Sequence, residues 1–162
     1  MARESSLLDI GCGPSYFLYS AKEEGFIVTA IEPGIFSAIS GKFRLGYTIR
    51  ITDFMHFNDN LKYDITTCLH VIEHVPNPIE FAAKVIEYVS DRGLIIFATP
   101  NIGCEYAENL GSEWSACGPA DHLCLYNNTT LSLVLNKAGY TDYSIIETGQ
   151  HSEELIAVCK FG

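Results

Sequence analysis

The chain has 162 residues, 48% of them hydrophobic and 19% charged, and carries a formal net charge of -10. That length suffices for one domain with a proper core and is too short for two, and the composition is globular, with neither the charge excess of a disordered chain nor an apolar run able to span a bilayer. Ten Lys and Arg against twenty Asp and Glu argue against a broad phosphate-backbone footprint, so a nucleic-acid partner is not expected.

Met1 to Ser6 has no hydrophobic stretch of the signal-peptide kind, and no export is implied. From Leu7 an apolar run ends in Asp9 and Ile10 and opens into Gly11-Cys12-Gly13-Pro14-Ser15, which reads as a strand, a cofactor loop and the start of a helix. Gly11 and Gly13 place no Cβ in the way of a tight turn or of a ligand seated over the helix N-terminus. Asp9 narrows the ligand, because a carboxylate at the strand end repels a dinucleotide's pyrophosphate but suits an amino group or a sulfonium. Pro14 marks the first helical turn, Phe17, Leu18 and Ala21 recur at helical spacing, and Gly25 stops the helix. Phe26 to Ile31 is a strand ending at Glu32, about 20 positions beyond the first glycine, where nucleotide-binding βαβ units hold a ribose hydroxyl pair. Tyr16 stands where a dinucleotide fingerprint wants a third glycine, which again favours a different nucleoside cofactor.

Ile35 to Leu45 reads as a short helix, and Tyr47 to Ile51 as a third strand that ends at Thr52-Asp53-Phe54. This acid and aromatic either hold an adenine or are an exposed turn Asp beside a core Phe. Tyr63 to Leu69 is a fourth strand, leaving through His70-Val71-Ile72-Glu73-His74, and in open α/β sheets functional groups lie beyond the carboxyl ends of strands. As a string, His-x-x-Glu-His matches an inverted zinc-protease pattern, but that pattern needs a helix, and these residues follow a strand and precede Pro76. Asn77 as N-cap, Pro78, and Glu80 three residues after the cap open a helix whose face is Ile79, Ala82, Val85, Ile86 and Val89, ended by Gly93. Leu94 to Ala98 is a central strand closed by Thr99-Pro100-Asn101.

From Ile102 to Asn128 no period is evident, and a loop of this length in a compact domain is usually functional or mobile. It contains Trp114, which either plugs the loop onto the core or stacks on substrate, and the pair Asp121-His122. Six cysteines without a Cys-x-x-Cys pair argue against a zinc ribbon or a thioredoxin motif and suit reduced thiols in the cytoplasm. Leu131, Val134, Leu135 and Ala138 mark a last helix, ended by Gly139, and Tyr143 to Glu147 with Leu155 to Phe161 make two final strands.

The motifs LLDIGCGPS, TAIEPG, YDITTCLHVIEHVPNP, FATPN and LGSEWSACGPADHLCLYNNTTLSLVLNKAGY cover nearly the whole chain. In this order they resemble the class I S-adenosylmethionine-dependent methyltransferases, in particular the broad group that includes ubiquinone-biosynthesis-type O-methyltransferases. The resemblance implies an α/β, Rossmann-like, doubly wound seven-stranded sheet of order 3-2-1-4-5-7-6 with the last strand antiparallel. It further implies S-adenosylmethionine as cofactor, S-adenosylhomocysteine as product, and a small-molecule or glycan hydroxyl as acceptor. Carried over position by position, Asp9, Gly11, Cys12 and Gly13 serve the methionine and ribose end, Glu32 the ribose hydroxyls, and Asp53 and Phe54 the adenine. Leu69 and His70 then line the pocket beside the methyl group.

Two departures shape the expectations. Ser15 stands where the family often has a third glycine, and the first strand starts almost at Met1, where family members usually carry helices that lie over the cofactor. A single methyltransferase domain over residues 1–162 without those cap helices, an open site, weak cofactor affinity, and a second copy or partner chain as cover are therefore expected. His122 and His70 are the candidate bases for a hydroxyl acceptor, since histidine titrates near neutral pH. His122 alternatively anchors its loop. No metal site is assigned; a divalent ion in the manner of some related O-methyltransferases would use Glu73 and His74, and otherwise Glu73 caps the following turn. The rival from another class is a non-catalytic methyltransferase-like module that binds a protein partner.

Overall fold

A computed structural model of the chain describes residues 5–45 and 49–162, leaving aside the side chains of 42–45. Among the described residues the strands are β1 (Ser6–Ile10), β2 (Ile27–Ile31), β3 (Ile49–Arg50), β4 (Tyr63–Leu69), β5 (Val89–Pro100), β6 (Tyr143–Thr148) and β7 (Glu154–Lys160). They form one sheet of order β3-β2-β1-β4-β5-β7-β6. Neighbours from β3 to β5 pair in parallel, whereas β7 runs antiparallel to both β5 and β6. This is the expected order. Of the third strand expected from Tyr47, Ile49 and Arg50 are seen in the sheet, while Tyr47 and Thr48 lie outside the described residues.

The helices are α1 (Tyr16–Glu23), α2 (Ile35–Leu45), α3 (Pro78–Ile86), α4 (Glu105–Leu110) and α5 (Asn128–Ala138). A parallel sheet needs both faces covered, and β1 shows how alternation supplies both. Leu7 joins one buried cluster with Leu18 and Ala21 of α1 and Ala38 of α2. Leu8 and Ile10 join the other, with Phe81, Ala82 and Val85 of α3 and Leu131 and Leu135 of α5. Each such fully buried Leu or Ile is worth roughly 1.5–3 kcal/mol relative to exposure, so a one-residue slip of β1 would cost both cores at once.

Several elements differ from expectation, each for a physical reason. The helical spacing that continues through Val89 is misleading: α3 ends at Ile86, and Val89 instead opens β5, paired with Tyr63 across a register shift. The 12-residue β5 therefore includes Gly93, which is not a helix stop. Pro14 precedes α1 rather than starting it, because Ser15 takes up a left-handed turn (φ 65°) as N-cap. The aperiodic 102–128 stretch contains α4, capped by the Cys104 sulfur accepting from the Ala107 amide at 3.4 Å, and two short 3-10 turns. Trp114 is 4% exposed and packs with Cys104, Ala107 and Ala116, so it gives the loop a small core of its own. The caps of α3 and α5 are built as their sequences dictate, with Asn77 accepting from the Glu80 amide and Asn127 forming a reciprocal box with Thr130.

Candidate active site

Strand order reverses between β1 and β4, and in open α/β sheets the crevice at that switch point is where ligands bind. A cavity of about 690 Å³ opens there, beyond the carboxyl ends of β1, β2 and β4. Its wall brings together six residues singled out from the sequence: Gly11, Gly13, Glu32, Asp53, Phe54 and His70.

One side of the cavity is built around Glu32. The carboxylate is 9% exposed, one oxygen accepting from the Gly13 amide and the other from the Gly34 amide, both at 2.8 Å. Each oxygen keeps lone-pair capacity, which suits a vicinal hydroxyl pair. Gly11 has φ 74°, and a Cβ there would stand 2.5 Å from a methyl of Val71, so the turn requires glycine. Asp53 caps the short turn Phe54–His56, accepting from the Met55 amide at 2.6 Å, while remaining exposed. Phe54 is 5% exposed and packs edge-on against Phe81 and Tyr88, so it belongs to the core and to the cavity wall together. Lys84 of α3 secures this turn by donating to the Met55 and Phe57 carbonyls.

Asp9 lies beneath the loop and is not among the wall residues. It is 3% exposed and accepts from the Thr67 hydroxyl at 2.6 Å. Burial pushes its pKa up to about 7, the Thr67 hydrogen bond opposes this, and the Glu32 charge adds to it. Cys12 is likewise turned inward, with its sulfur 3.4 Å from the Ser15 hydroxyl, and Leu69 is half-buried; neither is on the wall.

The other side of the cavity is made by the turn after β4. Here His70 adopts a left-handed backbone (φ 54°), with Nδ1 3.3 Å from Glu73 Oε1 and Nε2 2.9 Å from Glu154 Oε1. Hydrogen bonding to Glu73, opposed by burial and helped by the charges of Glu73 and Glu154, raises its pKa. Glu73 is fully buried, and its second oxygen accepts from the Thr99 hydroxyl at 3.1 Å. Its backbone carbonyl accepts from the amides of Leu123 and Cys124, which ties the long loop to this turn.

His122 is brought to the rim but not onto the wall. Its ring packs edge-on against His74, a wall residue, at 4.8 Å between centroids. Nδ1 of His122 lies 2.7 Å from the Ala116 carbonyl and Nδ1 of His74 lies 2.9 Å from the Asp121 carbonyl. A carbonyl only accepts, so each Nδ1 carries a proton, and the Asp121 carboxylate also stands 3.6 Å from Nδ1 of His74. Glu73, His74 and His122 also bring one ligand-capable atom each within 4.8 Å of one another. In this structure the Glu73 oxygens are engaged by His70 and Thr99, while His74 and His122 each bond a backbone carbonyl.

Wall residues absent from the sequence-based set include His74, Val71, Glu80, Phe81 and Asp121. His74 and Asp121 were visible as polar residues at strand ends and beside His122; Val71 and Phe81 carry no signal that separates a wall from a core.

Comparison with known proteins agrees with this geometry. Ubiquinone biosynthesis O-methyltransferase of Photobacterium profundum is 31% identical over 102 residues, covering 59% of this chain and 43% of that protein. The match thus spans less than half of that relative's length. A SAM-dependent methyltransferase from Archaeoglobus fulgidus superposes with a TM-score of 0.77 at 17% identity, over 97% of this chain and 86% of that one. Magnesium protoporphyrin IX methyltransferase from Synechocystis, solved with bound SAH, superposes with a TM-score of 0.76 at 15% identity, over 98% and 75%. These structural likenesses show the fold. The family model described as a methyltransferase domain matches residues 2–145. The chain belongs to the class I S-adenosylmethionine-dependent methyltransferase family.

Proposed function

We propose that residues 1–162 act as one methyltransferase domain that moves a methyl group to a hydroxyl of a small molecule or glycan, in the cytoplasm. The observation that carries this reading is the pairing, across one cavity, of a two-oxygen carboxylate suited to ribose with the packed His74 and His122 rings at the opposite rim. When bound, S-adenosylmethionine supplies a sulfonium methyl whose leaving group is already activated. Asp9, Gly11, Cys12 and Gly13 shape its methionine and ribose end, Glu32 receives the ribose hydroxyls, Asp53 and Phe54 bound the adenine, and Leu69 and His70 stand at the methyl end.

The protein's remaining work is alignment and proton removal. Holding acceptor and methyl in line is worth roughly 7–11 kcal/mol in well-oriented systems. His122, with His74 beside it, would take the hydroxyl proton at Nε2 while the acceptor oxygen gains the methyl and the sulfur–methyl bond breaks to leave a neutral thioether, and would later release that proton to solvent. Titration calorimetry with S-adenosylhomocysteine, followed by radiolabelled methyl transfer to a panel of phenols, catechols and sugars, tests the reading. Binding with transfer to a hydroxyl supports it; transfer to amines alone overturns the hydroxyl acceptor. Affinity tighter than micromolar would overturn the expectation of a weakly filled, open site.

A second reading has its own observation. Tyr16, Phe17, Ile35, Phe36 and Ile39 are exposed on α1 and α2, Phe36 at 91%, next to the cavity-lining Gly13 and Pro33. Such a surface suits a second copy or a partner chain that covers the site, and in a non-catalytic module it would be the principal function. Cofactor binding without transfer, together with a stable complex, would favour that module. No described helix is long and apolar enough to cross a membrane, and all six cysteines are free thiols, which supports placement in a reducing compartment.

A further inference from the structure

The histidines at this end of the cavity have different surroundings. His122 and His74 each donate Nδ1–H to a backbone carbonyl, with the Asp121 carboxylate 3.6 Å from the same His74 nitrogen. His70 faces a carboxylate from each of its nitrogens. A carboxylate accepts, so the arrangement is satisfied only when both His70 nitrogens carry hydrogen. Glu73 has no exposed surface, and its two oxygens are spent on His70 and Thr99. Finally, His70 holds a left-handed φ that non-glycine residues rarely adopt, and such strain persists where the surroundings over-determine it.

We propose that Glu154, reaching from β7 at the start of the strand after the last hairpin turn, is a positioning residue that with Glu73 fixes His70 against the cavity as a double donor, leaving proton removal to His122 and His74. This rests on the methyl-transfer reading for its meaning, and on the geometry alone for its truth. The charged groups facing His70 are Glu73 from its own turn and Glu154 from β7. The hairpin turn that precedes Glu154 is itself secured, since the Asn101 amide donates to the Glu153 carbonyl and the Asn101 side chain to that of Ser152. A residue 84 positions from His70 in sequence thus sets the shape of the cavity wall and the identity of its base.

The test needs no acceptor. Imidazole proton–nitrogen correlation spectra of the labelled chain are followed from pH 5 to 9, with the His70 signals identified by their loss in His70→Asn. The His70 midpoint is expected above the ordinary histidine value of about 6.5, with both ring nitrogens in the protonated range below that midpoint. Glu154→Gln, whose side chain is 31% exposed and tolerates change, should move the His70 midpoint down. It should also weaken S-adenosylhomocysteine binding about fivefold, the cost of loosening a wall rather than of losing a ligand contact. A His70 midpoint at or below the ordinary value, or one that Glu154→Gln leaves unmoved, overturns the proposal. If Glu154→Gln does not fold, Glu154→Asp, which keeps the charge but shortens its reach, must give the same downward shift or the proposal fails. Should the native chain not bind S-adenosylhomocysteine at all, the methyl-transfer reading fails while the histidine spectra still decide the clasp.

Discussion

The two ends of the cavity are built by different means. At the Glu32 end, backbone does most of the work: Glu32 ties the amides of Gly13 and Gly34 within a strand–loop–strand unit near the N-terminus, and Gly11 makes room for Val71 of the turn after β4. At the rim, side chains that meet across long sequence distances do it, such as His70 with Glu154 and Glu73 with Thr99. The first arrangement is largely local, and the second is assembled from separate segments.

That contrast sorts mutational effects. His122→Ala is expected to lower kcat by about 10²–10⁴ if it serves as the base, with S-adenosylhomocysteine affinity unchanged in calorimetry. A loss of affinity of the same size would dissolve the division between the two ends. Glu32→Gln should act in the opposite sense, weakening S-adenosylhomocysteine on the order of a hundredfold through poorer charge-assisted hydrogen bonds, while kcat at saturating cofactor changes little. Both variants need only steady-state rates and calorimetry to be compared.

The smallest and most discriminating effect concerns Asp9. Its pKa is raised to about 7 from an ordinary 3.8, so the folded chain holds a proton that the unfolded chain has lost between those values. Stability attributable to this group therefore falls as pH rises from about 4 to about 7 and stays low above. Asp9→Asn should flatten that dependence and raise the thermal midpoint at pH 8, because a buried charge is replaced by a neutral isostere. If Asp9 partners the cofactor's amino group through the loop, the same substitution weakens S-adenosylhomocysteine, and native binding at pH 6.5 releases a proton detectable from the buffer dependence of the heat. An Asp9→Asn chain that gains stability without losing affinity would make Asp9 a structural residue only.

Much of this was legible in the sequence, and the pattern of misses follows the same contrast. The glycine loop, Glu32, the Asn77 cap and the β4 boundaries are written in neighbouring residues, where turn chemistry and periodicity act. Asp53 and Phe54 were correctly placed as neighbours at a strand end, and the structure shows them at once as turn cap, core ring and cavity wall. The extension of β5 through Val89 was hidden because Val85, Ile86 and Val89 fit a helical face, whereas pairing with Tyr63 decides the matter. The Thr67 bond that accompanies Asp9 into the interior joins residues 58 apart, and no local pattern announces it. Nor does any spacing reveal that His70 meets Glu154.

The single carbonyl of Glu73 that receives both Leu123 and Cys124 has a consequence in time as well as in space. The turn that offers it is continuous with β4, next to β1 in the sheet, while the amides that seek it lie about 50 residues further on. Both amides depend on one acceptor, so their protection is linked: in native-state hydrogen exchange the amides of Leu123 and Cys124 are expected to open together, whenever the Glu73 turn and the long loop part.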